Sequence, residues 1–223
     1  MAKPLIKWPG GKTTQIRQFL PLIPDYDRYI EPFVGGGAVY FALEPESAII
    51  NDISGDLMEF YSLIREQDPE FHSLLDLYCR SFGALKETCR AQAKLLRNLF
   101  AFYETAQQKG MDIRPIAPHL HVAQEIACMP DILNELILDR EEYVRIMCDS
   151  VEDKFLRTAR NHQKKSFSEK DLQENLLTGF TSGYYLYFRS VFNQIASRSV
   201  VASRQYRAAL FYFVREYCYG AMF

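Results

Sequence analysis

The sequence lacks any Cys-x-x-Cys pair, and its five cysteines are an odd number spread widely along 223 residues. This usage suggests neither a disulfide framework nor a zinc site. The sequence also lacks a long uninterrupted apolar run, and its N-terminus has no apolar segment before a small-residue cleavage site. We therefore expect a cytoplasmic protein with reduced thiols, no membrane span and no bound metal.

An excess of positive charge is missing as well, because 26 Lys and Arg stand against 28 Asp and Glu. Such a chain has no global electrostatic attraction to nucleic acid, so any DNA contact must come from a local patch. The densest basic patch lies between residues 154 and 170, where the only acidic residue is Glu169. Its cations are Lys154, Arg157, Arg160, Lys164, Lys165 and Lys170. A solvated helix face or loop is the alternative interpretation of this patch.

The opening segment of the chain combines short strand signals with helix signals. Residues 28–34 (RYIEPFV) form a β-branched and aromatic run that ends in three glycines, and the AVYFAL stretch after them is typical of a helix. Residues 48–52 (AIIND) have the apolar character of a buried parallel strand, and Ser54 is placed to cap the next helix. Apolar residues then repeat at helical spacing over residues 57–64. Together these segments predict a βαβα unit with parallel strands and a right-handed crossover.

Helical signals dominate after residue 67. Asp68 and Pro69 form a cap followed by a proline at the first helical position. Further apolar runs at helical spacing occupy residues 91–108, 132–147 and 172–196. The sequence therefore predicts an α/β protein whose residues 1–67 form a small α/β unit and whose residues 68–223 form a mainly helical module.

The three glycines and Asp52 form the most informative local pattern. A backbone without Cβ atoms allows a ligand to approach closely, and the helix after the turn offers free N–H groups. A carboxylate at the end of the next strand, about twenty residues after the glycine turn begins, can accept both ribose hydroxyls of a nucleoside. The triplet GGG differs from the GxGxxG pattern of pyrophosphate sites, so an adenosyl ligand fits better than NAD. A tight turn at residues 35–37, with Asp52 as a helix cap, explains these two features equally well.

Gly11, Lys12 and Thr13 invite comparison with a phosphate-binding loop. That motif requires a glycine at position 6, where Ile6 stands, and a preceding strand that the short N-terminal segment barely provides. We therefore reject a P-loop ATPase. The same region contains the only tryptophan of the chain, at position 8, and a surface turn is the simplest interpretation of it in isolation.

The first quarter of the chain contains three motifs in succession: KWPGGK at residues 7–12, EPFVGGGAVYF at residues 31–41 and NDIS at residues 51–54. In order and spacing they resemble the opening motifs of the Dam-like adenine-N6 DNA methyltransferases. The tail, residues 208–223, more weakly resembles the family segment that leads into a DNA-contacting β-hairpin. The resemblance implies an S-adenosylmethionine-dependent enzyme that acts on double-stranded DNA, either in a restriction-modification system or as a solitary methylase. It also implies a partial Rossmann-like methyltransferase sheet at residues 1–67 and a target-recognition or insertion module at residues 68–223.

The resemblance further implies a cofactor site built from these motifs. Lys12 would pair with the carboxylate of the methionine moiety, and Trp8 would cover the same charged moiety with its indole. Glu31, Gly35 and Gly37 would line the pocket at the end of the first strand.

From the third motif, Asp52 would hold the ribose and Ile53 would pack on the adenine face. The basic patch at residues 154–170 would lie in the module that grips DNA. Secondary candidates for phosphate contacts are Arg189, Arg198, Arg204 and Arg207.

A tetrapeptide of the form D/N-P-P-Y/F/W does not occur in the sequence. Members of the resembled family use it to bind the target amino group and to stack on the flipped base. We therefore name no catalytic residue, and we expect a second polypeptide to carry the tetrapeptide, the remaining strands and the recognition hairpin. The aromatic tail, residues 206–223, would lie at or near that interface. A truncated inactive methyltransferase and a non-catalytic adaptor that binds DNA or protein remain the alternatives.

Overall fold

A computed structural model describes residues 2–12, 14–111 and 118–218. Thr13 and residues 219–223 of the tail lie outside the described residues. The chain divides into two compact units, one made of Met1–Leu75 with Phe192–Phe223 and the other of Asp76–Val191. In this division the C-terminal segment from Phe192 onward groups with the N-terminal segment that ends at Leu75.

The first unit contains a parallel pair of strands, β1 (Tyr29–Glu31) and β2 (Ala48–Ile50). A short helix α1 (Ile16–Phe19) and a 3₁₀ turn (Leu20–Leu22) precede β1. Helix α2 (Ala38–Leu43) connects the two strands, and helix α3 (Gly55–Glu66) follows β2. The predicted βαβα order and the parallel pairing are therefore confirmed in the described residues, where the sheet has these two strands.

Local capping residues fix where the helices begin. Ser54 Oγ accepts the Leu57 N–H at 3.3 Å and starts α3. Asp68 Oδ1 accepts the Phe71 N–H at 2.9 Å, and Pro69 is the first residue of helix α4 (Pro69–Ala91), as the sequence predicted.

The last helix, α9 (Arg204–Tyr217), packs along α3 within the first unit. Arg204 pairs with Glu59 and Glu66 of α3, and Arg207 pairs with Asp56. The face of α9 toward the core is apolar and buried, and it comprises Ala208, Ala209, Leu210, Phe211, Phe213 and Val214. In the part of the tail that the structure describes, this buried face therefore belongs to the core of its own unit.

The second unit is helical. It holds most of α4, α5 (Ala93–Lys109), α6 (Pro118–Cys128), a 3₁₀ turn (Asp131–Glu135), α7 (Arg140–Lys164) and most of α8 (Glu169–Ala196). The sequence predicted one helical run over residues 132–147, and this prediction is wrong in one respect. The run is interrupted between the 3₁₀ turn, which ends at Glu135, and α7, which begins at Arg140. Asp139 caps α7 by accepting the Glu142 N–H at 2.9 Å, and the Tyr187 hydroxyl accepts the N–H groups of Leu138 and Asp139. These acceptors replace helical hydrogen bonds at the break.

All five cysteines are free thiols, and three of them, Cys89, Cys148 and Cys218, are buried. Burial raises the pKa of Cys89 to about 12 and that of Cys148 to about 11, so both remain protonated at neutral pH. None of the helices that the structure describes is long and apolar enough to cross a membrane.

Candidate functional site: a cleft beside the glycine turn

A cleft of about 740 Å³ opens in the first unit beside the glycine turn. Its walls come from the N-terminal segment, the end of β1, the glycine turn, the start of α2 and one side of α9. Five residues expected at a cofactor site line it: Trp8, Lys12, Glu31, Gly35 and Asp52. Motifs that are separate in the sequence therefore meet at one surface.

The glycine turn allows a very close approach of the N-terminal segment. Gly35 has φ +51°, and a Cβ atom there would lie 2.8 Å from Cδ1 of Trp8. A Cβ atom on Gly36 would lie 2.8 Å from the carbonyl oxygen of Ile6. Only glycine satisfies both the left-handed backbone at position 35 and this contact with the indole.

Gly37 supports the glycine turn from behind the cleft lining. It is buried, has φ +76° and does not line the cleft, while a Cβ atom there would lie 2.6 Å from the ring of Phe41. Nearby, the Tyr61 hydroxyl donates to the carbonyl oxygen of Gly35 at 2.9 Å. Burial raises the pKa of Tyr61, which keeps the phenol protonated as a donor. Gly37 therefore makes room for the aromatic packing that supports the turn.

Asp52 joins the second strand to the glycine turn. Its Oδ2 accepts the Gly35 N–H at 3.0 Å, and its Oδ1 accepts the Ser54 N–H at 3.0 Å. A carboxylate offers about four acceptor positions, so each oxygen retains capacity for a further donor. Asp52 thus has a structural role, and it can also accept ligand hydroxyls at the cleft.

Glu31 places a buried acceptor at the cleft. Its Oε2 is inaccessible to solvent and accepts no hydrogen bond from the residues that the structure describes. Burial raises the pKa of Glu31, although hydrogen bonds from the Tyr29 side chain and the Tyr40 backbone oppose that effect. Because an unsatisfied buried acceptor is costly, this oxygen is suited to a ligand that brings a donor or a positive charge.

Two cleft residues come from α9 and were not predicted. Tyr212 and Glu216 line the cleft together with the N-terminal motifs. Glu216 Oε1 accepts the Lys7 N–H at 2.8 Å, and Tyr212 stacks on Phe60 of α3 with ring centroids 5.3 Å apart. Sequence spacing gives no signal for this, since α9 is separated from the glycine turn by most of the chain. The density of aromatics in the tail was the only available hint.

Ile53 lies outside the cleft lining, and its side chain is 93% exposed. Lys12, in contrast, lies at the cleft and is exposed, so its ammonium group is accessible to an anionic ligand group.

The basic patch at residues 154–170 lies on α7, just beyond it and, at Lys170, in the first turn of α8. Arg157, Arg160 and Lys164 are exposed at spacings of three and four residues, so they share one face of the helix. Lys165 is the exposed C-cap residue. Lys154 is half-buried, and burial together with Arg157 lowers its pKa. The exposed basic face of α7 therefore consists of three of the six residues of the predicted patch, with a fourth, Lys165, at its end.

A family model for D12 class N6 adenine-specific DNA methyltransferases matches residues 8–138, more than half of the chain. The chain is 40% identical over 78 residues to the type II methyltransferase M1.LlaDCHI of Lactococcus lactis subsp. cremoris, which covers 33% of the chain and 26% of the relative. It is also 40% identical over 78 residues to the DNA N-6-adenine-methyltransferase of Escherichia phage P1, covering 35% of the chain and 10% of that protein.

A third relative, the DNA adenine methylase of Escherichia coli (strain K12), is 30% identical over 66 residues, which cover 30% of the chain and 24% of the relative. The matches thus span about a quarter or less of the length of these curated proteins. No solved structure matches the chain.

Proposed function

The chain belongs to the D12 class of N6 adenine-specific DNA methyltransferases, and on that premise we propose that its cleft binds S-adenosylmethionine for methyl transfer to adenine in double-stranded DNA. One observation carries the proposal: residues from three separate motifs line a single cleft. The cofactor-binding residues are Trp8, Lys12, Glu31, Gly35 and Asp52, with Gly37 supporting the turn.

The chemistry of the cleft fits this cofactor. A volume of about 740 Å³ is within the ordinary range for small-molecule sites. Asp52 has acceptor capacity for ribose hydroxyls, and Lys12 supplies a cation for a carboxylate. The buried oxygen of Glu31 favours a positively charged ligand, and the indole of Trp8 provides a face for the same charge. Ile53, which is exposed beside Asp52, is proposed to cover the adenine when the ligand is present.

The residues of this chain would act by binding and orienting the methyl donor. When bound, S-adenosylmethionine supplies an activated methyl group, so transfer depends chiefly on alignment with the target nitrogen. Asp52 is fastened to the glycine turn, and Trp8 lies directly against that turn. These contacts would keep the ribose end and the methionine end of the ligand in fixed relative positions.

We further propose that a second polypeptide supplies the catalytic tetrapeptide and completes the sheet. Among the residues that the structure describes, one apolar face of the sheet is exposed: Ile30 and Ile49 are partners in register and are 59% and 51% exposed. A groove of about 450 Å³ continues from β2 along the apolar side chains of Tyr40, Phe41 and Met58. An exposed apolar sheet face of this kind favours association with further strands or helices.

The test is isothermal titration of the chain with S-adenosylmethionine, alone and with a co-purified polypeptide that carries an Asp-Pro-Pro-Tyr-like motif. Transfer of a labelled methyl group to DNA is measured in parallel. Binding by the chain, with transfer only in the mixture, is the expected result. Binding without transfer in either sample would favour a non-catalytic adaptor or a truncated enzyme. Absence of binding in both would refute the cofactor site and leave the fold as a scaffold.

A further inference from the structure

We propose that Arg215 of α9 is a positioning residue for the cleft, because it fixes the plane of the Trp8 indole. The inference rests on the proposed cofactor site for its effect on ligand affinity, although the contact itself can be tested without ligand. Arg215 does not line the cleft, whereas Trp8 does. It would therefore act through the indole and not by touching the cofactor.

The contact between the two side chains is close and shielded from solvent. The guanidinium carbon of Arg215 lies 4.4 Å from the centroid of the Trp8 ring, and Arg215 is 3% exposed. A cation over an indole face is attracted by the ring quadrupole, and the attraction is larger when the pair is desolvated. Arg215 thus holds one face of the ring.

The edge of the same indole is held by the glycine turn. Cδ1 of Trp8 lies 2.8 Å from the position that a Cβ atom at Gly35 would take, and the ring centroid of Phe211 lies 6.3 Å from that of the indole in a tilted arrangement. The ring is therefore bounded by Arg215, Phe211 and the backbone of the turn. Rotation of the indole about its side-chain torsions would require one of these neighbours to move.

A second attachment acts on the neighbouring residue. Lys7 donates its backbone N–H to Glu216 Oε1, and its ammonium group lies 3.6 Å from Glu216 Oε2. Consecutive residues of α9, Arg215 and Glu216, therefore hold consecutive residues of the N-terminal segment, Lys7 and Trp8. Trp8 and Glu216 both line the cleft. Helix α9 therefore sets the position of the cleft wall that the first motif, residues 7–12, forms.

The chain offers a direct probe, because Trp8 is its only tryptophan. In Arg215→Met, the emission maximum of Trp8 should shift and its quenching by acrylamide should increase. The affinity for S-adenosylmethionine, measured by titration calorimetry, should fall about threefold to tenfold, as expected when a desolvated cation–π interaction is removed. Arg215→Lys keeps the charge without the planar guanidinium and should lie between Arg215→Met and the parent chain.

Arg207→Met is the matched control. It removes another α9 arginine, one that pairs with Asp56 and not with the indole. It should lower the melting temperature but leave the Trp8 emission unchanged and the affinity within about twofold, since it breaks an ion pair without touching the ring. A merely structural role of Arg215 would make Arg215→Met behave like this control.

A double-mutant comparison tests whether Arg215 affects ligand affinity through the Trp8 indole. In a Trp8→Leu background, which has no ring for the cation, Arg215→Met should change the affinity by less than about twofold. If Arg215→Met lowers the affinity in the Trp8→Leu background as much as it does in the parent chain, the positioning role is overturned. Unchanged Trp8 emission and unchanged affinity in folded Arg215→Met would overturn it too. If Arg215→Met does not fold, Arg215→Lys decides by the same two readouts. A parent chain that binds no S-adenosylmethionine would refute the proposed function, whereas the emission of Trp8 would still decide its contact with Arg215.

Discussion

The carboxylate of Asp52 accepts the backbone N–H of Gly35 at 3.0 Å, so the end of β2 is fastened to the turn that follows β1. The second oxygen of Asp52 accepts the N–H of Ser54, which in turn caps α3. One side chain therefore determines the distance between the glycine turn and the start of α3. A ligand that bound Asp52 would find an acceptor already held in place.

Substitution of Asp52 separates its structural role from ligand binding. If Asp52 holds the ribose as proposed, Asp52→Ala should weaken S-adenosylmethionine binding by about tenfold or more, since the acceptor for two ribose hydroxyls is removed. Calorimetric titration gives the affinity, and thermal melting shows whether the variant remains folded. Asp153→Ala, at an exposed position of α7 in the other unit, is the control and should bind as the parent chain does. Equal affinities in two folded variants would exclude Asp52 from the ligand site.

Substitution of Gly35 tests the close approach of Trp8. Gly35→Ala should destabilise the fold by at least about 1 to 2 kcal/mol from its left-handed backbone alone. The contact of the new Cβ with the indole should also displace Trp8 and change its fluorescence. Gly55→Ala is the matched control, because nothing lies within 4 Å of a Cβ there and Gly55 starts α3. It should be neutral or slightly stabilising. Similar stability of the two variants would contradict the packing of Trp8 on the turn.

Glu31 gives a prediction with a defined pH dependence. Burial raises the pKa of Glu31 in the folded chain above its ordinary value. Its stabilising contribution is therefore fully present below the ordinary glutamate pKa and is lost as the pH rises through the folded-state pKa. Glu31→Gln should consequently be more stable than the parent chain at neutral pH, and the difference should vanish in acid.

Urea denaturation at a series of pH values measures this difference, with Glu46→Gln at an exposed position as the control. At the proposed cofactor site the same Glu31→Gln variant should bind S-adenosylmethionine more weakly, because it removes the buried negative charge proposed to attract the cationic ligand. A loss of stability at neutral pH would mean that Glu31 is satisfied in the folded chain.

Local rules were sufficient for the parts of the fold that depend on neighbouring residues. Ser54 and Asp68 cap α3 and α4 as their sequence context indicates, and the two short strands pair in parallel. The interruption before α7 was not predicted, because the N–H groups of Leu138 and Asp139 donate to the hydroxyl of Tyr187, which is distant in the sequence. The side chain that decides this boundary could not be identified from local periodicity.

The residues of the site also fall into those that sequence motifs identify and those that distant parts of the chain contribute. Trp8, Lys12 and Asp52 could be assigned from motif order, and they line one cleft. The contributions of Tyr212 and Glu216 required knowledge that α9 returns to the first unit, which no motif spacing reveals. Ion pairs such as that of Arg207 with Asp56 hold α9 on α3. They use arginines that the sequence analysis named as secondary candidates for phosphate contacts. Their guanidinium groups are already engaged within the protein.

The exposed face of α7 provides the test of DNA binding. A triple variant, Arg157→Gln, Arg160→Gln and Lys164→Gln, removes three exposed cations from one helix face. If they contact phosphates, affinity for duplex DNA should fall for all sequences alike, and the slope of log K against log salt should decrease by about 0.9 for each phosphate that is no longer neutralised. Fluorescence anisotropy over a range of salt concentrations measures both quantities.

The control for this face lies on the same helix. Arg145→Gln also removes an exposed α7 cation, but Arg145 pairs with Asp149 and lies more than two turns before the basic face. It should leave the salt slope unchanged. If the triple variant and Arg145→Gln bind DNA with equal affinity and equal slope, the basic face is a solvated helix surface. Binding of DNA would then have to come from other surfaces of the protein or from the proposed second polypeptide, which an anisotropy titration of the mixture would detect as affinity absent from the chain alone.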